Sequence, residues 1–264
     1  MKLKINRWLR SILLLCLTMN VYSLSYAADI KVLISSGFFG VYHELGPIFE
    51  KKTGHKLITV RGPSIGDSPE AIPTRLARGE TADLVILDGE AAHELAHKGF
   101  VKEASVTTLG LSQIGMAIKE GAVKPDISTV DAFRKTLLAA KSIGYSDSGS
   151  GTYIAGQMFK KLGVEDQVMG KSKKVRGPPS GEPVAATVAR GENEIGFQQV
   201  SEILHVAGIT YVGPIPKEVQ PGFTFAGAIT TNSKQEQLAR EFIQFLRAPE
   251  AEAVIVKAGL GYPR

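Results

Sequence analysis

Four hydroxyl residues, Ser146, Ser148, Ser150 and Thr152, alternate with small residues in the stretch Tyr145-Ser-Asp-Ser-Gly-Ser-Gly-Thr-Tyr153, between a short apolar run and a helical pattern. A loop of this kind at a helix start gathers hydroxyls, unpaired backbone N–H groups and the positive end of the helix dipole, which suits an anion. For one Gly/Ser run alone, ordinary turn chemistry explains the composition as well. Two more loops have the same setting. Ser35-Ser36-Gly37 follows the apolar run ending at Ile34, and Arg61-Gly-Pro-Ser64-Ile-Gly-Asp-Ser68-Pro69 follows another ending at Val60; each precedes a helical pattern. Arg61 adds a fixed charge suited to a carboxylate or phosphate. Gln198 and Gln199 close a further apolar run, where paired amides can hydrogen-bond carboxylate oxygens, and Arg176 stands before a Gly/Pro turn. In open α/β sheets, ligands gather at the carboxyl ends of strands. The candidate site is therefore a shared anion site of Ser35, Ser36, Gly37, Arg61, Ser64, Ser68, Ser146, Ser148, Ser150, Gly151, Thr152, Arg176, Gln198 and Gln199.

Other motifs compete. Gly62-Pro63-Ser64-Ile65-Gly66 fits the nucleophile-elbow pattern of serine hydrolases, but Pro63 flanks the serine and the next helix begins only near Pro69. His93-Glu94-Leu95-Ala96-His97 fits the zinc-protease motif, yet Gly99 stops the helix at once and the best-spaced third ligand, Glu120, lies in a polar turn. A surface helix packed through Ala92, Leu95 and Ala96 explains it better. Gly163 to Ser172 and Gly149-Ser150-Gly151 miss the phosphate-loop and dinucleotide spacings. Neither a metal nor a cofactor is expected.

The chain opens with Lys2, Lys4, Arg7 and Arg10, an apolar core from Ile12 to Val21, and Ser25-Tyr26-Ala27. That is the pattern of a secretory signal peptide over 1–27, placing the mature protein in the periplasm. Losing these 27 residues, with four positive charges and no acid, lowers the net charge from +5 to +1. No basic face then argues for nucleic acid or a membrane surface. Cys16 leaves with the leader, which excludes disulfides and thiol catalysis.

Short continuous apolar runs at Ile30 to Ile34, Leu57 to Val60, Leu84 to Leu87, Ile114 to Ile118, Ile143 to Tyr145 and Ile195 to Phe197 alternate with helical patterns, as in a parallel sheet with crossover helices. Leu76-Ala-Arg-Gly-Glu80 before Asp83 to Leu87 is echoed by Val188-Ala-Arg-Gly-Glu192 before Glu194 to Phe197. Each is a helix, a Gly stop and a buried strand. The echo predicts two similar α/β lobes: 28–110 with 221–264, and 111–220.

Together the Ser-Ser loop, Phe49 to Gly54, Ala77 to Leu84, Gly144 to Tyr153 and Phe245 to Glu250 resemble type II periplasmic solute-binding proteins, in the branch with the molybdate-binding protein. The resemblance implies two Rossmann-like lobes joined by two crossing strands and closing on a ligand. Molybdate binders of this type carry Ser at the position of Gly37 and Tyr at that of Gln199, so two oxyanion contacts are missing. A larger carboxylate-bearing anion is expected ahead of molybdate, tungstate or phosphate. The leading expectation is a monomeric receptor that delivers a di- or tricarboxylate to an ABC transporter permease. The same branch includes secreted aconitate isomerase, so the alternative is proton transfer between trans- and cis-aconitate. For that, His43, Asp67, Asp147, Tyr145 and Glu182 are unranked candidates for the base.

Overall fold

The computed structural model describes residues 27–264. The expected leader, apart from Ala27, lies outside the described residues. In chain order the first elements are β1 (Asp29–Ile34), α1 (Ser36–Thr53), β2 (Lys56–Arg61), α2 (Ile72–Ala77), β3 (Leu84–Asp88), α3 (Gly89–His97) and β4 (Thr107–Ser112). Next come β5 (Ile114–Lys119), α4 (Val130–Ala139), β6 (Ile143–Ser146), α5 (Gly149–Tyr153), α6 (Glu165–Val168), β7 (Ser172–Val175), α7 (Val184–Ala189), β8 (Ile195–Gln199), α8 (Val200–Ile203) and β9 (Ile209–Pro214). The chain ends with β10 (Phe223–Ile229), α9 (Glu236–Leu246) and α10 (Glu252–Lys257).

The strands form two five-stranded sheets, ordered β2-β1-β3-β10-β4 and β7-β6-β8-β5-β9. The echoed units occupy matching places: β3 and β8 are both central, and the helices before them stop at Gly79 and Gly191 with φ of 84° and 77°, where only glycine is unstrained. The expectation of purely parallel sheets needs correction. β1 pairs parallel with β2 and β3, but β10 runs antiparallel to β3 and β4, and β5 antiparallel to β8 and β9. β5 and β10 are the strands that follow the two crossings between sheets, and each enters its sheet from the other lobe, against the local strands.

The buried runs follow from helices on both faces of each sheet. Ile30, Val32 and Ile34 pack with α1 and α9, whereas Leu33, Val85 and Leu87 pack with α2 and α3, as the two-residue period of a strand requires. In the second sheet Ile143, Tyr145, Ile195 and Phe197 face α4 and the segment after α5. Their glycine neighbours face the other way. A Cβ on Gly144 would lie 2.9 Å from Val184, and one on Gly196 2.6 Å from Val188, so these two glycines let α7 lie directly on the strands. Burying each large apolar side chain contributes about 1.5–3 kcal/mol, and Phe38, Phe133, Phe159, Phe197, Phe225 and Phe242 are all fully or almost fully enclosed.

The crossings lie side by side. Only Gln113 separates β4 from β5, and the Gln220 side chain on the return crossing accepts from the Ile114 N–H at 2.7 Å and donates to the Ile114 carbonyl at 3.0 Å.

Candidate functional site

The carboxyl ends of β1, β2, β3, β6, β7 and β8 converge on one cleft. It is lined by Ser35, Ser36, Gly37, Pro63, Ser64 and Asp88 from the first sheet's side, and by Ser146, Asp147, Ser148, Gly149, Gly177, Pro178, Gln198, Gln199 and Glu202 from the second, with Phe225 of β10 against the wall. This is the placement that open α/β topology gives to a ligand.

Donors are available on both walls. Ser35 is 4% exposed and its hydroxyl has no partner, so a buried polar atom at the cleft awaits one. Arg61 donates to Ser36 Oγ at 3.1 Å and its guanidinium lies 4.2 Å from the centre of the Phe39 ring. Its Nε–H is also unpartnered. Opposite, Ser146, Ser148 and Ser150 hold their hydroxyls 2.7, 3.1 and 3.3 Å apart in a mutual cluster. Hydroxyl hydrogens rotate to suit their surroundings, so such a cluster can re-aim donors at an anion. Gln198 Oε1 accepts from the Val184 N–H at 2.9 Å and Gln199 Oε1 from the Ser112 hydroxyl at 2.7 Å, which leaves the Gln199 NH₂ as a donor while that of Gln198 serves Glu202.

Three carboxyl groups share this space. Asp88 caps α3, its Oδ1 accepting from the Glu90 and Ala91 N–H groups; burial pushes its pKa up and those bonds hold it down. Asp147 Oδ1 accepts from the Gly177 N–H at 3.0 Å. Glu202, on the short α8, is pushed up to about 7, first by burial and further by the charge of Asp147, against the Gln198 amide and the Arg61 charge, which favour its ionised form. Burial also lowers the Arg61 pKa, an effect that Glu202 opposes.

Not every sequence candidate lines the cleft. Arg61 stands behind Ser36, and Ser150 is fully enclosed behind Ser146 and Ser148. Gly151 is buried against β6, where a Cβ would lie 1.6 Å from the Ser146 carbonyl oxygen. Thr152 is exposed and opens on a neighbouring groove, and Ser68 is half-buried away from the lining. Arg176 sits exposed at the rim, where it meets Glu70 of the other lobe at 3.2 Å. Among the candidate bases only Asp147 lines the cleft: His43 stacks on Phe39 on the outer face of α1, Asp67 is exposed, Tyr145 is in the core and Glu182 pairs with Arg190. Ser64 Oγ accepts from the Asp88 N–H, and His93 pairs with Glu103 on the exposed side of α3, with Ala92 and Leu95 buried beneath it. Asp88, Phe225 and Glu202 escaped the sequence reading. For Glu202 the signal was faint, because α8 is only four residues long and leaves no periodic pattern.

The model of the family described as bacterial extracellular solute-binding protein matches residues 30–261. The chain belongs to this family. Over 231 residues this solute-binding protein is 43% identical to the aconitate isomerase of a Pseudomonas species, covering 88% of this chain and 87% of the relative. Among solved structures it is similar to the periplasmic molybdate-binding protein of Azotobacter vinelandii, with a TM-score of 0.70 and 22% identity over 89% of this chain and all of the other. It is also similar to the substrate-binding domain of a putative molybdenum ABC transporter from Clostridium difficile, with a TM-score of 0.67 and 16% identity over 90% of this chain and all of that one. These likenesses belong to the fold. At the site, this solute-binding protein has no room for a side chain at Gly37, whose Cβ would lie 2.1 Å from the Phe225 ring.

Proposed function

We propose that the cleft binds a small tricarboxylate and isomerises it by proton transfer, with trans- and cis-aconitate as the pair. The observation that carries this is the presence of three carboxyl groups, Asp88, Asp147 and Glu202, in a wall otherwise furnished with anion donors. Asp88 and Asp147 also hold backbone N–H groups, but a receptor that releases its anion unchanged gains nothing from a further carboxyl, Glu202, facing it, because like charges at close range repel in a partly desolvated site. An enzyme that removes a proton from carbon needs a base there. Identity to the Pseudomonas aconitate isomerase over most of the chain supports the same reading.

The second reading, a periplasmic receptor for an organic anion serving an ABC transporter, is favoured by the two-sheet fold with adjacent crossings and by the likeness to a transporter's substrate-binding domain. One experiment separates them. The purified mature protein is incubated with trans-aconitate and the cis isomer is followed by chromatography. Turnover is expected; tight binding of the tricarboxylate without turnover selects the receptor.

A further inference from the structure

The three carboxyls of the cleft are not equivalent, and their hydrogen bonds sort them. Asp88 accepts from two backbone N–H groups as the cap of α3, so its carboxyl is committed to the start of that helix. Asp147 is likewise held by the Gly177 N–H. Among the described residues no backbone N–H donates to the Glu202 carboxyl, whose hydrogen-bond partner is the Gln198 amide. Glu202 stands at the cleft wall among Gln198 and Gln199, and the charged groups acting on it are Arg61 of the opposite lobe and Asp147 of its own.

We propose that Glu202 is the catalytic residue that carries the proton between the two carbons of the substrate. This rests on the tricarboxylate-isomerase reading of the cleft. In the step, the Glu202 carboxylate takes a proton from the substrate methylene as that C–H bond breaks. The electron pair spreads over the three-carbon unit and its carboxylates. Protonated Glu202 then delivers the proton to the carbon that was vinylic, and the double bond moves by one position. The proton returns to the substrate, nothing is oxidised or reduced, and Glu202 ends as it began. The Ser35 hydroxyl, enclosed at the cleft without a partner, supplies a donor for the electron-rich intermediate, and the Arg61 charge acts from behind Ser36. A side chain held near neutrality by burial also suits the task, because the acid and base forms must both be accessible at working pH.

The test compares wild type, Glu202→Gln and Glu202→Asp, with Asp147→Asn as the competing assignment. Each is measured for trans-to-cis conversion, for exchange of substrate methylene protons in deuterated water, and for trans-aconitate binding by calorimetry. Glu202→Gln is expected to lose turnover and exchange by about 10²–10⁴-fold while binding within a few-fold of wild type. Glu202→Asp should retain partial exchange, and wild-type kcat/KM should rise with pH through about 7. Glu202→Gln turning over within tenfold of wild type overturns the assignment, as does loss of binding in step with loss of turnover. Wild type that binds trans-aconitate but neither converts nor exchanges it overturns the isomerase reading itself, a distinguishable result. Should Glu202→Gln fail to fold, the Glu202→Asp arm decides by the same exchange readout.

Discussion

Ser35 and Glu202 show what a polar side chain held at a cleft wall costs the fold that keeps it. The Ser35 hydroxyl is enclosed without a partner, a state that disfavours the ligand-free fold. Ser35→Ala is therefore expected to leave the thermal midpoint of the ligand-free protein unchanged or slightly higher. Tricarboxylate affinity should fall about 10–100-fold, the worth of a hydrogen bond to a charged group, as read by calorimetry. Glu202 acts through linkage. Its folded pKa, about 7, lies above the ordinary value of 4.5, so between these pH values the folded state holds a proton that the unfolded chain has released. Stability thus falls as pH rises from about 4.5 to about 7. Denaturant titrations of ligand-free protein should show this slope in wild type and lose it in Glu202→Gln, which becomes the more stable of the two at pH 8.

At the scale of elements, glycines set how closely the walls approach. α1 begins at Ser36 directly after β1, and Gly37 in its first turn is pressed against Phe225 of β10. Phe225 is itself buried beside Phe38, so its ring has little freedom to yield. Gly37→Ala is expected to destabilise by about 1–3 kcal/mol through overpacking, and Phe225→Leu should recover much of the loss in the double variant, as measured by urea unfolding. The close fit gives a physical reason why a molybdate-type serine at this position is excluded.

Across the whole molecule, the two lobes are linked by adjacent crossings and by side chains that bridge them. Gln220 ties the return crossing to both backbone groups of Ile114. Gln220→Ala leaves the Ile114 carbonyl with the Ile215 N–H but strips the Ile114 N–H of its acceptor, a loss of about 1–3 kcal/mol. In small-angle scattering this variant is expected to have a larger radius of gyration without ligand, and wild-type dimensions once saturated with tricarboxylate. The Glu70–Arg176 pair at the rim is exposed, and such pairs contribute at most about 1 kcal/mol.

The sequence by itself determined the paired α/β lobes and most of the strand-end loops. Continuous apolar runs, glycine helix stops and the echoed units at Gly79 and Gly191 are local features that survive without knowledge of contacts. It also singled out Ser35, Ser36, Ser64, Ser146, Ser148, Gln198 and Gln199, which line the cleft, because strand ends and hydroxyl loops are legible residue by residue. Only the tertiary structure decided strand direction, since β5 and β10 enter from the opposite lobe. It alone gathered Asp88, Asp147 and Glu202, which come from three separate strand ends, in one cleft wall. No local pattern announces such a meeting: a carboxyl's environment depends on which distant groups desolvate it and which charges face it, and for Glu202 those groups include Arg61, on the other lobe.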